Sequence, residues 1–272
     1  MGVRRKDRPC LQDLHLTNDF LFCKTMQDKE VLIAFLAEIL PNEHIRDLNY
    51  LSIQETIDPK YDQKSVVLDV CAKDQNGTIY NIEMQNENKK IFKRLRYYQS
   101  VIDVDELLKG QPYGALPKRY IIMLCDFDLL KNNRYIYTVV SKCLETNTKI
   151  QDGTMEILVN INGKIGKISR ALKEFLAYVR HTRPIVSDGC KSKLVQLASK
   201  RVYHVKNDGR IKEEYMGLYM RDDDMREEGK IEGIGLALKI QKLFKKGLTI
   251  RDICKKMGIK EEEVKEIVAV LQ

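Results

Sequence analysis

The stretch that decides the fold is VVLDVCAKDQNGTIYNIEMQ, residues 66–85. Its two halves are rich in β-branched and aromatic residues and flank an Asn-Gly pair, a pattern that is typical of a β-hairpin. A three-residue loop that ends in a left-handed Gly77 would pair Asp74 with Thr78. This register fixes which side chains of the two predicted strands meet.

The predicted register brings two acidic side chains together. Counting back from the loop places Asp69 opposite Glu83, and both lie on one face because strand side chains alternate. Directly opposed residues have Cβ atoms about 5 Å apart, so two carboxylates there destabilise the sheet unless a cation lies between them. Carboxylate oxygens are the ligands that Mg²⁺ and Mn²⁺ prefer. The pattern therefore predicts a divalent-metal site, and Gln85 points to the same face.

The same pattern has a second explanation. A sheet with one open face would carry Asp69 and Glu83 as solvated residues, and alternation alone produces such pairs. A one-residue change of register would also place the two carboxylates on opposite faces. The residues by themselves leave both interpretations open.

The charge of the chain indicates a polyanionic partner. Its 272 residues carry a formal net charge of +8. This excess favours nucleic acid first and an anionic membrane second, and the alternative is a basic protein with no such partner. No apolar stretch reaches the roughly 18 residues of a membrane span, and no apolar core follows the basic start. We therefore expect neither a membrane segment nor a secretion signal.

The cysteines and histidines argue against a disulfide scaffold and against a zinc site. The seven cysteines are scattered and odd in number, and most lie inside apolar runs. Free thiols of this kind indicate a reducing compartment, so we expect a cytoplasmic location. The four histidines are far apart and form no H-x-x-H pair, which makes zinc binding improbable.

Helical and extended patterns alternate around the hairpin, which predicts an α/β domain over residues 17–210 after a flexible basic N-terminus over residues 1–16. The apolar run RYIIMLCDF, residues 119–127, predicts a central strand that is covered on both faces. The other predicted strands lie near 48–53, 134–144 and 155–161, and the predicted helices run from Thr17 or Asn18 to Met26 and over 30–40, 88–108, 169–181 and 192–205.

The segment 211–247 is rich in Met, Gly, Glu and Lys. Its pattern is helical, but Gly229, Gly233 and Gly235 each weaken an isolated helix. The prediction is a loosely helical connector, and a close-packing face of a homo-oligomer is the alternative.

Residues 248–272 form a small unit that resembles a helix-turn-helix. Thr249 and Asp252 are spaced as a capping box, and Gly258 is placed to end the first helix. The second helix begins with three glutamates, 261–263, which would repel phosphates. This unit is therefore expected to serve packing or dimerisation rather than the reading of DNA.

Several motifs in order resemble a known superfamily. Asp69, followed after a hairpin by Glu83-Met84-Gln85, resembles the active-site pattern of the PD-(D/E)XK nucleases. The wider context, about residues 17–240, is similar to one branch, the Rpn recombination-promoting nucleases, which are also described as transposases. The other matching motifs are Asn18-Asp-Phe-Leu-Phe22, Leu68-Asp-Val70, Gly77 through Gln85, Arg94 with Tyr97-Tyr98, Gly110-x-x-Tyr113 and the strand 119–125. No role can be assigned to Asp19 and Lys24 of the opening motif.

The resemblance implies a restriction-endonuclease-like α/β fold, with a mixed β-sheet core flanked by helices and a helical C-terminal tail. It also implies a Mg²⁺-dependent DNA endonuclease of recombination or mobile elements, in which Asp69 and Glu83 ligate the metal. Gln85, the third catalytic position, occupies the place of the usual lysine and can only form hydrogen bonds. Lys64 or Lys89 could supply the missing charge.

The basic residues that follow the hairpin are candidates for contact with the DNA backbone. They are Lys89, Lys93, Arg94 and Arg96, and a solvated helix face is the alternative. Two other functions remain open. One is a non-catalytic DNA-binding or assembly protein, and the other is a nuclease fold that acts on RNA, for which no RNP1-like motif is present.

Overall fold

The structure is a computed structural model that describes residues 9–58, 64–88, 91–183 and 192–269. The chain divides into two compact units, Met1–Ile211 and Lys212–Gln272. No helix in these ranges is long and apolar enough to cross a membrane.

A mixed six-stranded sheet forms the centre of the first unit, with the strand order β1-β2-β3-β4-β6-β5. The pairs β3–β4 and β4–β6 are parallel, and the other three pairs are antiparallel. Every residue of β4 is buried, which confirms the predicted central strand. The strands are β1 Leu48–Ile57, β2 Val66–Asp74, β3 Ile79–Gln85, β4 Arg119–Cys125, β5 Ile136–Val139 and β6 Thr154–Asn160.

Helices flank this sheet, and several begin at the predicted caps. The side chains of Asn18, Ser169 and Ser192 each accept a hydrogen bond from a backbone N–H of the first turn of the helix that follows. The helices of the chain are α1 Asp19–Met26, α2 Lys29–Ile39, α3 Ile91–Glu106, α4 Arg170–Arg180, α5 Lys193–Asn207, α6 Gly209–Lys245, α7 Ile250–Met257 and α8 Glu261–Ala269.

The central hairpin has the predicted register. Cys71 lies opposite Asn81, so the same count places Asp69 opposite Glu83. The loop closes through a 3.1 Å hydrogen bond from the backbone N–H of Asp74 to the carbonyl of Thr78. Gly77, with φ +79°, takes the left-handed conformation that the loop requires.

A buried carboxylate holds this loop. Asp74 accepts hydrogen bonds from the backbone N–H groups of Asn76 at 2.8 Å and Thr78 at 2.9 Å. Its second oxygen accepts from the hydroxyl of Tyr80 at 2.9 Å, and both Asp74 and Tyr80 are buried. The three bonds join the loop to β3, and they therefore support the register that unites the acidic pair.

Removal of this carboxylate should loosen the hairpin. We expect Asp74→Ala to lower the free energy of unfolding by about 2–4 kcal/mol, because two N–H groups and the buried Tyr80 hydroxyl lose a charged acceptor. The control is Asp74→Asn, which keeps an acceptor for the N–H groups and offers Tyr80 a donor, and we expect it to cost about 1 kcal/mol. Chemical denaturation of both variants measures the difference, and equal losses would contradict this role of Asp74.

Three features differ from the sequence prediction. Leu11, Leu14 and Leu16 are buried, so residues 11–16 belong to the packed chain, where the sequence predicted flexibility. These leucines supply apolar area, whereas most of the basic residues that suggested flexibility lie in 1–8, outside the described residues. β1 extends ten residues as an edge strand, four more than the pattern indicated.

The third difference is α6, which is one helix of 37 residues rather than a loose connector. Gly229, Gly233 and Gly235 each cost about 1 kcal/mol relative to alanine, but Glu, Lys, Arg, Met and Leu around them favour helix. In the second unit, the end of α6 packs against α7 and α8. The capping box of Thr249 and Asp252 is present, and Gly258 ends α7 at φ +68°. The buried residues of this small core are Ile240, Ile253, Val264 and Val268.

Candidate active site

The two acidic residues of the hairpin meet across adjacent strands. The backbone N–H of Asp69 donates to Oε1 of Glu83 at 3.2 Å. The backbone N–H of Met84 donates to Oδ2 of Asp69 at 3.0 Å. Each carboxylate thus reaches the backbone of the opposite strand, and these two bonds fix both side chains in one place on the sheet.

The site is buried, and burial changes how its acids titrate. Glu83 is only 2% exposed. Burial, and after it the charge of Asp69, raises the pKa of Glu83 to about 8. Burial also raises the pKa of Asp69 to about 6, although the N–H of Met84 opposes the rise. Without a bound cation, these two acids therefore resist ionising together at neutral pH.

A third carboxylate lies near the pair. Asp19 is the first residue of α1, directly after the cap Asn18. Burial is the main cause of the raised pKa of Asp69, and the negative charge of Asp19 adds to it. α1 reaches β2 at this point, where the thiol of Cys23 donates to the carbonyl of Asp69 at 3.5 Å. Sequence reasoning gave Asp19 no role, and the only signal for it was its place in the opening Asn-Asp-Phe motif.

The basic residues of α3 do not form one group. Ile91 and Leu95 are buried against β4, which turns Arg94 of the same helix toward the sheet. Lys93 and Arg96 are exposed, because they lie on the opposite side of the helix. Of the four predicted DNA-contact residues, Lys93 and Arg96 face solvent and Arg94 faces the sheet. The fourth, Lys89, lies outside the described residues.

The other two described polar candidates are Gln85, at the end of β3, and Lys64, before β2. Gln85 ends β3 and is half-buried, and alternation places its side chain on the face of Glu83. Its backbone carbonyl accepts from the N–H of Asp126 at 2.9 Å, so the strand end is fixed. Lys64, one of the two candidate sources of positive charge, is exposed before β2.

The donor set fits a hydrated Mg²⁺ or Mn²⁺. No group of three His, Cys, Asp or Glu side chains within the described ranges is arranged to hold a metal. Mg²⁺ takes one or two carboxylates together with waters and phosphate oxygens, and the pair supplies those carboxylates. Oδ1 of Asp69 accepts no hydrogen bond from any residue that the structure describes, so it is available as a ligand. The close approach of the half-buried Asp69 and the buried Glu83 is itself an arrangement that a divalent cation stabilises.

A mixed sheet flanked by helices, with two carboxylates paired on its central hairpin, defines a nuclease-like protein of the restriction-endonuclease α/β class. The chain belongs to the PD-(D/E)XK nuclease family transposases, because the family model of that description matches residues 16–163. The match begins before α1 and ends after β6, so it contains the whole sheet and the acidic pair. Searches of curated proteins and of solved structures gave no match.

Membership confirms the superfamily that the motifs resembled. The family consists of nucleases associated with mobile elements, and this implies DNA as the substrate. Nucleases of this superfamily usually use divalent metal ions. The fold and the family therefore set the chemical class, and the acidic pair is the natural candidate for its active site.

Proposed function

We propose that the protein is a Mg²⁺-dependent DNA endonuclease that hydrolyses phosphodiester bonds during recombination or transfer of mobile elements, with Mn²⁺ as a possible substitute. The observation that supports this most is the contact of the half-buried Asp69 with the buried Glu83 inside a family of nucleases. Two carboxylates kept together in a site of low polarity have little structural use, and they suit a divalent cation.

In this proposal Asp69 and Glu83 hold the cation, and Gln85 binds and orients water at the edge of the site. The bound cation supplies a Lewis acid for phosphodiester hydrolysis. The water oxygen forms a bond to phosphorus while the bond from phosphorus to the leaving oxygen breaks. One proton of the water ends on that leaving oxygen, and its hydroxyl stays on the phosphate. Gln85 serves as donor or acceptor but carries no charge.

DNA contact is proposed for the exposed side of α3. Lys93 and Arg96 project into solvent there, and the chain carries a net charge of +8. Lysine and arginine at such positions bind backbone phosphates without reading sequence. Arg94, which faces the sheet, is not part of this surface.

The test is a plasmid assay. We expect the protein to nick or linearise supercoiled plasmid when Mg²⁺ is added and not when a chelator is present, because the two carboxylates act through the cation. Asp69→Ala should remove the activity but keep the binding of DNA. Cleavage that persists in Asp69→Ala, or that does not need a divalent cation, would overturn the proposed site.

A second candidate function is a non-catalytic DNA-binding or assembly protein on the same fold. It is favoured by Gln85, since the superfamily's usual lysine supplies a charge that glutamine lacks. This alternative predicts salt-sensitive DNA binding without cutting, unchanged by Asp69→Ala. Assembly as a homo-oligomer is also a proposal, and analytical ultracentrifugation tests it.

We propose a cytoplasmic location. The six cysteines in the described ranges are free, and Cys23, Cys71 and Cys125 are buried. Thiols packed in this way suit a reducing compartment.

A further inference from the structure

The acidic pair needs a positive charge that β3 does not provide. Gln85 is neutral, and Lys64 is exposed. Arg94 lies on the side of α3 that packs on the sheet, and two of its guanidinium nitrogens are buried.

The fold fixes this arginine from two sides. Ile91 and Leu95, one on each side of it along α3, are buried against the sheet. Tyr98 lies one turn further on, and the guanidinium carbon of Arg94 is 5.5 Å from the centre of its ring. The hydroxyl of Tyr98 reaches the carbonyl of Val67 at 3.5 Å, two residues before Asp69. The guanidinium is thus held beside β2 rather than extended into solvent.

Two of the three guanidinium nitrogens of Arg94 lack an acceptor among the described residues. Nε and Nη2 of Arg94 are buried, and neither donates to any atom that the structure describes. Buried donors of this kind are rare in folded proteins, and they mark places where a ligand or bound water completes the structure.

An arginine can play only some of the roles of an active-site cation. The guanidinium group keeps its proton in proteins, so it neither takes a proton from water nor gives one to the leaving oxygen. It can stabilise negative charge, and its planar group suits phosphate oxygens. Nε and Nη2 therefore need an acceptor such as a phosphate oxygen.

We propose that Arg94 is the active-site cation. From its place on α3 it supplies the positive charge that Gln85 on β3 lacks, and it stabilises the negative charge that builds on the attacked phosphate. This inference rests on the proposed function. It also revises the prediction from the sequence that Arg94 contacts the DNA backbone, because the residue acts at the site of reaction and not on the exposed DNA-contact surface.

The test compares Arg94→Gln with Arg46→Gln, an equal change of an exposed arginine between α2 and β1 that has no part in the proposed site or DNA surface. Arg94→Gln should cut plasmid about 10²-fold more slowly, as when one charge-stabilising donor is removed, and Arg46→Gln should keep the rate within about threefold. The binding of Mn²⁺ alone, measured by calorimetry at alkaline pH, should become about tenfold tighter in Arg94→Gln, because a repelling charge is gone.

Two further variants separate charge from packing. Arg94→Lys keeps the charge, and it should cut within about tenfold of the wild type. Gln85→Lys added to Arg94→Gln should recover part of the lost rate, since it restores a cation from the other side.

The inference is overturned if Arg94→Gln cuts like the wild type, or if its Mn²⁺ affinity is unchanged in a protein that melts normally. Should the wild type fail to cut at all, the proposed function falls and the catalytic part of this inference falls with it. The Mn²⁺ measurement still decides whether the charge of Arg94 acts on the carboxylates.

Discussion

Glu83→Gln is expected to lower the rate of DNA cleavage by about 10³-fold or more, and at alkaline pH to make the metal-free protein more stable. The amide oxygen of glutamine can still accept from the N–H of Asp69, which now lies 3.2 Å from Oε1. Packing is therefore kept, while one of the two charges that hold the cation is lost. Because a like charge leaves a buried pair, the free energy of unfolding should rise by about 1–3 kcal/mol.

The matched control is Glu156→Gln. Glu156 is a half-buried carboxylate on β6, and it accepts a hydrogen bond from the side chain of Gln99 at 2.8 Å. Its change to glutamine should leave the rate of cleavage within about threefold, since it lies away from the acidic pair. Plasmid cleavage and thermal melting, run on both variants, give the two readouts. A Glu83→Gln protein that cuts normally, or that loses both activity and stability, would contradict a metal-holding role for Glu83.

When replacement of an acid lowers activity but raises stability, the acid is functional rather than structural. A structural carboxylate, such as Asp74 with its three hydrogen bonds, loses stability when it is replaced. A pair held in place for a cation is strained without it, so neutralising one member relieves the strain. The same sheet contains both kinds, a few residues apart on β2.

The hairpin was predictable because its determinants are local. The Asn-Gly pair selects the loop, the loop sets the register, and strand alternation then places Asp69 beside Glu83. The buried strand β4 was predictable for a similar reason, since seven consecutive buried positions require an almost continuous apolar run. Local chemistry was thus sufficient to find the candidate acids.

The rest of the site depends on contacts between elements that are distant in sequence. The pattern of α3 shows two sides to the helix, but only the packing of Ile91 and Leu95 on β4 decides that Arg94 faces the sheet and Arg96 faces solvent. Asp19 comes to the site because α1 meets β2, a contact across about fifty residues of chain. A single sequence carries no periodic signal for either of these placements.

The metal-free protein should lose stability as the pH rises. Burial, and then the charge of Asp69, raises the pKa of Glu83 from 4.5 to about 8. The folded state therefore binds a proton more tightly than the unfolded state does. Its stabilising effect is complete below pH 4.5 and is lost as the pH passes through about 8. We expect a fall on the order of 2–4 kcal/mol in the free energy of unfolding across this interval.

Divalent cations should reverse this fall, since binding to the ionised pair favours the folded state in proportion to the logarithm of metal concentration. Mg²⁺ should therefore stabilise the protein more at pH 8 than at pH 5. Glu83→Gln, which has no acid to titrate at this position, should show a shallow pH dependence and a small response to Mg²⁺. Chemical denaturation at pH 5 and at pH 8, each with Mg²⁺ and with a chelator, measures the free energy of unfolding under these four conditions. An equal pH dependence in the wild type and in Glu83→Gln would show that the acidic pair is not strained and that no strain is left for a cation to relieve.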